Sequence, residues 1–97
     1  MNNLASITKA INAHRRDLRE KYKITQIGIF GSYSRGEEKK GSDVDILVEF
    51  DGSVSLLWLV KAENYLSGIL SRKVDLVPKE DVRIELKDRI LSEVIYI

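Results

Sequence analysis

The segment from Asp43 to Phe50 constrains the chain most, because its residue types change with a period of two. Successive side chains of a β-strand point to opposite faces of the sheet. Val44, Ile46, Val48 and Phe50 therefore share one face, while Asp43 and Asp45 share the other. The same phase recurs at Lys73 to Val77, where Val74 and Leu76 fall on the apolar face and Asp75 on the acidic one. In Ile24 to Phe30, Ile27 and Ile29 supply the apolar face. The expected fold is α+β: a small mixed β-sheet with helices covering one face and the three acids open on the other.

The remaining segments supply those helices. Leu4, Ile7, Ile11, His14, Leu18 and Tyr22 recur at three- and four-residue steps, which predicts one amphipathic helix. The first strand ends at Gly31-Ser32, Ser34 to Glu38 makes a short helix, and Lys39 to Ser42 reads as a polar turn. Asp51-Gly52 closes the second strand, and Ser53 or Ser55 caps a helix running to about Leu70. Pro78 stops the third strand. The last segment, from about Asp81 to Tyr96, is predicted helical from Val82, Leu86, Ile90 and Val94. With 97 residues and no linker or repeat, the chain is expected to form one domain over 1–97.

Asp43 and Asp45 lie on one strand face with Cα atoms ~6.5–7 Å apart. Asp75 joins them if the third strand pairs with the second. Three carboxylates this close resist ionising together unless a cation compensates. Oxygen donors suit Mg²⁺, which commonly takes one or two carboxylates together with substrate phosphates and water. Two such ions, ~3.5–4 Å apart, can activate a hydroxyl and steady a leaving group. The alternative is that Asp43 and Asp45 mark the solvated face of an ordinary sheet. Gly31-Ser32 after a strand favours the first reading. Glycine permits close approach of backbone to a phosphate, the following helix start offers free N–H groups, and Ser32 adds a hydroxyl. Arg35 could grip a phosphate in bidentate fashion.

The stretch "GSYSRGEEKKGSDVDILVEF", followed by "KVDLV", resembles the nucleotidyltransferase superfamily that includes DNA polymerase beta and kanamycin nucleotidyltransferase. The shared pattern is Gly-Ser, ten residues (Tyr33 to Ser42), Asp-x-Asp, and a later Asp on a strand. The spellings "GSYSRG" and "SDVDILV", with the ending "LKDRILSEVIYI", are most similar to the minimal nucleotidyltransferases, the MNT family of prokaryotes. The resemblance implies that Asp43, Asp45 and Asp75 ligate metal and that Asp75 helps deprotonate the acceptor hydroxyl. It also implies that Gly31 and Ser32 hold the nucleoside triphosphate. MNT proteins are paired as antitoxins with helical HEPN ribonuclease toxins, so the resemblance further implies AMP transfer from ATP to a tyrosine of such a partner.

Composition bounds the alternatives. Lys+Arg total 16 against 15 Asp+Glu, for a net charge of +1, which disfavours nucleic acid as a direct partner. Cysteine is absent, excluding disulfides and thiolate zinc sites. The longest apolar run, Val54 to Val60, is interrupted by Ser55 and too short for a membrane span, and no signal peptide opens the chain. A soluble, cytoplasmic protein is expected. His14 is the single histidine and falls on an apolar stripe, which excludes the usual nucleophilic triads and reads as structural. The chain cannot itself carry the HEPN ribonuclease motif, because no arginine precedes His14.

Leu56 to Val60 forms an apolar band around a whole helical turn, more than one core face requires. Either neighbouring helices bury it, or Trp58 or Tyr65 marks an interface with a partner or a second copy. Glu37 to Lys40 reads as a solvated loop with a nucleotide contact open to it. Two other functions stand beside AMP transfer to a protein. One is a binding module that neutralises its partner by occlusion; the other is an enzyme acting on RNA or a small molecule. Acceptor recognition is expected to lie in another molecule.

Overall fold

The computed structural model describes residues 3–97. Its elements run α1 (Asn3–Ala13), α2 (Arg15–Glu20), β1 (Ile24–Phe30), α3 (Ser32–Arg35), β2 (Val44–Phe50), α4 (Leu56–Leu70), β3 (Val74–Pro78), α5 (Ile84–Glu93) and β4 (Ile95–Tyr96), with a 3₁₀ turn over Lys79–Asp81. The four strands form one mixed sheet in the order β3-β2-β1-β4. β1 is antiparallel to both β2 and β4, whereas β2 and β3 are parallel. This is the expected α+β architecture.

The apolar face forms as the strand phases require. Ile27, Ile29, Val44, Ile46, Val48, Val74 and Leu76 are buried with Ile7 and Ile11 of α1 and Ala62, Leu66 and Leu70 of α4. Each Val, Ile or Leu side chain among them, fully buried, contributes roughly 1.5–3 kcal/mol. Helix α4 begins where a serine cap was expected: the Ser55 Oγ accepts the Trp58 N–H at 3.1 Å. Its polar side chains then serve the exposed edge of β3. The Leu76 N–H donates to Glu63 Oε2 at 2.9 Å and the Val74 N–H donates to Ser67 Oγ at 3.2 Å. Those bonds block the edge against pairing with another chain. Pro78 closes β3 from within, as its last residue, which an edge strand tolerates.

Three expectations are corrected. The predicted helix from Leu4 to Tyr22 breaks at His14, whose backbone leaves the helical region at φ −114° and ψ 14°. The His14 Nδ1 donates to the Ala10 carbonyl at 2.9 Å, satisfying a group that the end of α1 leaves free. The ring also meets Tyr65 edge-on with centroids 6.2 Å apart, which is a structural role. Second, the predicted helix from Asp81 to Tyr96 is shorter, and its end becomes β4. Gly28 pairs with Tyr96 and Ile29 with Ile95, adding a fourth strand. Third, the acidic face is not bare. Leu47 lies on it beside Gly28 and Val77 and is 1% exposed. A side chain at Gly28 would meet Val94 Cγ2 at 2.6 Å, so glycine there lets the C-terminal segment lie against the sheet.

The aromatic candidates of the apolar band are tied down within the chain. The Trp58 Nε1–H donates to the Tyr22 carbonyl at 2.9 Å. Tyr22 stacks on Tyr65 with centroids 4.6 Å apart. Leu56 and Leu57, by contrast, are 77% and 71% exposed. No helix among the described residues is long and apolar enough to cross a membrane.

Candidate active site

The site is built at one end of the sheet, where the parallel pairing of β2 with β3 sets Asp45 directly opposite Asp75. Asp45 is also the partner of Phe30 on β1, the residue before Gly31. The Gly-Ser turn is thereby brought against the central acid. Gly31 adopts φ 74°, which side-chain-bearing residues rarely accept, and a Cβ there would collide with the Asp45 carboxylate, lying 3.0 Å from its Cγ. Glycine is therefore required twice over, by conformation and by contact. Its carbonyl anchors the turn, accepting from the Ser34 Oγ–H at 2.7 Å and the Ser34 N–H at 3.1 Å. The Ser32 hydroxyl, half-buried, is engaged by no hydrogen bond among the described residues and remains available to a ligand.

Electrostatics single out Asp45. Its carboxyl is pushed up to about 6 by burial first, then by the charges of Asp75 and Asp43, with Arg35 pulling the other way. An uncompensated negative charge surrounded by oxygen donors is the environment a hard divalent cation relieves. In donor type, oxygen alone, the acids suit Mg²⁺. Asp43 lies beside the pair but turns its Oδ2 toward the Lys73 Nζ, 3.9 Å away. Asp75 is solvent-exposed. Among the described residues no three Asp, Glu, His or Cys side chains converge tightly enough to hold a metal ion. The strand register gathers the three acids at one end of the sheet, and the rotamers leave them splayed.

Arg35, at the last position of α3, is held by two carboxylates. Its Nε–H donates to Glu37 at 3.0 Å and an Nη1–H donates to Glu93 of α5 at 2.7 Å. Glu93 was not singled out from the sequence, and neither was the helix face it shares with Leu86, Arg89 and Ile90. Together with Phe30, Gly31, Ser32, Arg35 and Asp45, these residues line an open cleft of about 330 Å³. The spacing of Leu86 and Ile90 signals a helix, but nothing local says that its apolar stripe turns to the site rather than to the core.

Comparison with known proteins follows this geometry. Residues 11–97 match the model of the family described as nucleotidyltransferase domain. The protein adenylyltransferase MntA of Thermococcus cleftensis is 44% identical over 94 residues, covering 97% of this chain and 95% of that one. A candidate protein adenylyltransferase of Methanocaldococcus jannaschii is 43% identical, with 100% of each chain covered. Among solved structures, a candidate minimal nucleotidyltransferase superposes with a TM-score of 0.80 at 29% identity, covering 98% of this chain and 95% of that one. A toxin–antitoxin crystal structure with AMP-PNP superposes at 0.73 and 25% identity, covering 99% of this chain and 72% of that one.

Proposed function

The chain belongs to the nucleotidyltransferase domain family, and from that premise we propose that it transfers AMP from ATP to a tyrosine hydroxyl of a HEPN-family partner protein, acting in the cytoplasm as its antitoxin. One observation carries the reading: the Gly31 backbone is pressed against Asp45, which faces Asp75 across the parallel strand pair. Phosphate-approaching backbone and paired carboxylates thus meet at one point. The relative from Thermococcus cleftensis, named a protein adenylyltransferase, and the toxin–antitoxin structure with AMP-PNP support the choice of nucleotide and of a protein acceptor.

Asp43, Asp45 and Asp75 would hold the divalent metal, Mg²⁺ and two ions in our reading. Bound there, the metal would supply positive charge to the phosphates and lower the pKa of a hydroxyl beside it. The Gly31 turn and the Ser32 hydroxyl orient the triphosphate, and Arg35 contributes N–H donors once a phosphate competes with its carboxylate partners. Asp75, exposed on the edge strand, would take the proton of an incoming acceptor. The acceptor oxygen bonds to the α-phosphorus, the bond from that phosphorus to the α–β bridging oxygen breaks, and pyrophosphate leaves. A phenol with a pKa near ~10 gives up its proton more readily than an aliphatic alcohol, which favours tyrosine. AMP attached to the partner adds charge and bulk that would silence its active site.

Intact-mass spectrometry of the partner after incubation with this chain, ATP and Mg²⁺ tests the reading. Each transfer adds one AMP, and Asp43→Ala adds none. An unmodified partner that is inhibited equally by the wild-type chain and by Asp43→Ala would establish occlusion instead. The exposed Leu56 and Leu57 give that alternative a surface to work with.

A further inference from the structure

A second cleft shares no lining residue with the one at Gly31 and Arg35, and it borders Asp43 through Lys73. Lys39, Lys40, Arg72 and Lys73 line it, with Gly41, Ser42 and the carboxylate of Glu38. Four cations thus face one acid in a single cleft, whereas the whole chain carries a net charge of +1. Positive charge is concentrated here and offset elsewhere.

The cations stand on ordered backbone. Lys39 to Ser42 forms a tight turn in which the Ser42 N–H donates to the Lys39 carbonyl at 2.9 Å, with Gly41 at φ 86°. The Ser42 Oγ accepts the Lys39 N–H at 2.9 Å, and the Tyr33 hydroxyl reaches the Ser42 carbonyl at 3.4 Å. Arg72 is half-buried and pinned, donating to the Leu70 carbonyl at 3.2 Å and to Asn3 Oδ1 at 3.3 Å. Lys73 borders Asp43 at 3.9 Å, which joins this cleft to the acids. Among the described residues, no carboxylate lies within ion-pair distance of Lys39, Lys40 or Arg72.

Resting on the reading of a protein acceptor, we propose that this cleft is the acceptor's docking site and that it takes an acidic segment of the partner protein. Donor and acceptor need separate places beside the acids, and in the proposed function the Gly31 and Arg35 cleft takes the nucleotide, which leaves this second cleft for the acceptor. These cations, with Arg72 held in place and Lys73 bordering Asp43, would draw a carboxylate-rich segment in, the usual contribution of charge complementarity. A polypeptide suits the cleft better than RNA. Its only aromatic is Tyr33, which is 5% exposed and belongs to the core, so no ring is offered for bases to stack on.

The test is fluorescence anisotropy with a labelled oligoglutamate peptide and a labelled single-stranded RNA, at low and high salt. It uses the wild-type chain, Lys39→Gln/Lys40→Gln and Lys39→Arg/Lys40→Arg, with Mg²⁺-ATP binding measured on the same samples. The expected result is salt-sensitive peptide binding that weakens at least ~5-fold in the glutamine pair and is retained in the arginine pair, with ATP affinity unchanged. Peptide should also inhibit AMP transfer competitively against the partner protein and not against ATP. Equal peptide binding by the glutamine pair, tighter binding of RNA, or a parallel loss of ATP affinity would each overturn the proposal. The peptide and ATP measurements need no transfer reaction. Failure here alongside intact AMP transfer therefore removes only the docking site, whereas absence of transfer removes the proposed function.

Discussion

Replacing Asp45 by asparagine preserves the side chain's shape and removes its charge, which separates what the carboxylate does for the fold from what it does for ligands. In the folded chain its carboxyl is raised from 3.8 to about 6, by burial and by the neighbouring Asp75 and Asp43. A raised carboxyl opposes ionisation. The fold is therefore fully favoured below the unfolded value, near ~4, and loses that increment as pH rises through about 6. At ~1.4 kcal/mol per pKa unit the shift sets a ceiling of roughly 3 kcal/mol. The group is only partly buried, so screening by solvent reduces this to roughly 1 kcal/mol. For a domain of this size that is a rise in Tm of about 4–8 °C. Asp45→Asn should thus melt higher than the wild type at pH 8, and the two should converge near pH 4. Added Mg²⁺ and ATP should reverse the order at pH 8, because only the wild type gains stability from the ligand. Thermal melts by circular dichroism at both pH values, with and without Mg²⁺-ATP, make the comparison. If Asp45→Asn melts lower than the wild type at pH 8 without ligand, the carboxylate is a structural acceptor and the repulsion argument is wrong.

Three further outcomes follow from the same geometry. Asp75→Asn should lower ATP affinity modestly and AMP transfer by at least ~10², the usual size of a lost general base; equal, small losses in titration calorimetry and turnover would make Asp75 peripheral. Gly31→Ala should cost about 1–3 kcal/mol from the positive φ alone and should weaken ATP binding further by displacing the Asp45 carboxylate; a variant with wild-type melting and binding would show that the turn tolerates a Cβ. Trp58→Ala should cost about 2 kcal/mol in denaturant unfolding, less than a fully buried tryptophan, because it loses one hydrogen bond and a half-buried ring contact; a negligible loss with weakened partner association would return the ring to an interface role.

Periodicity alone determined which side chains share a face. Val44, Ile46 and Val48 are buried, and Asp45 and Asp75 fall on the opposite face with Asp43 just before the strand, because alternation along an extended chain is a local property. Gly31 drew attention in the sequence only because glycine lets backbone approach a phosphate, and its positive φ came from the structure. Only the tertiary structure decided which strand lies beside which, and with what register. The Asp45 and Asp75 pairing and the Gly31 contact follow from that placement. It also decided that the chain breaks at His14, where a bond to the Ala10 carbonyl ends α1 although the apolar stripe continues. The ending was hidden for a related reason. Val94 continues the four-residue spacing of Val82, Leu86 and Ile90, which masked the strand-prone types Val94 to Ile97, and pairing with β1 far along the chain makes them a strand. The hold of Glu93 on Arg35 joins residues 58 positions apart. Contacts of that range depend on how α5 packs against the sheet, and a pattern read within a few residues carries no record of them.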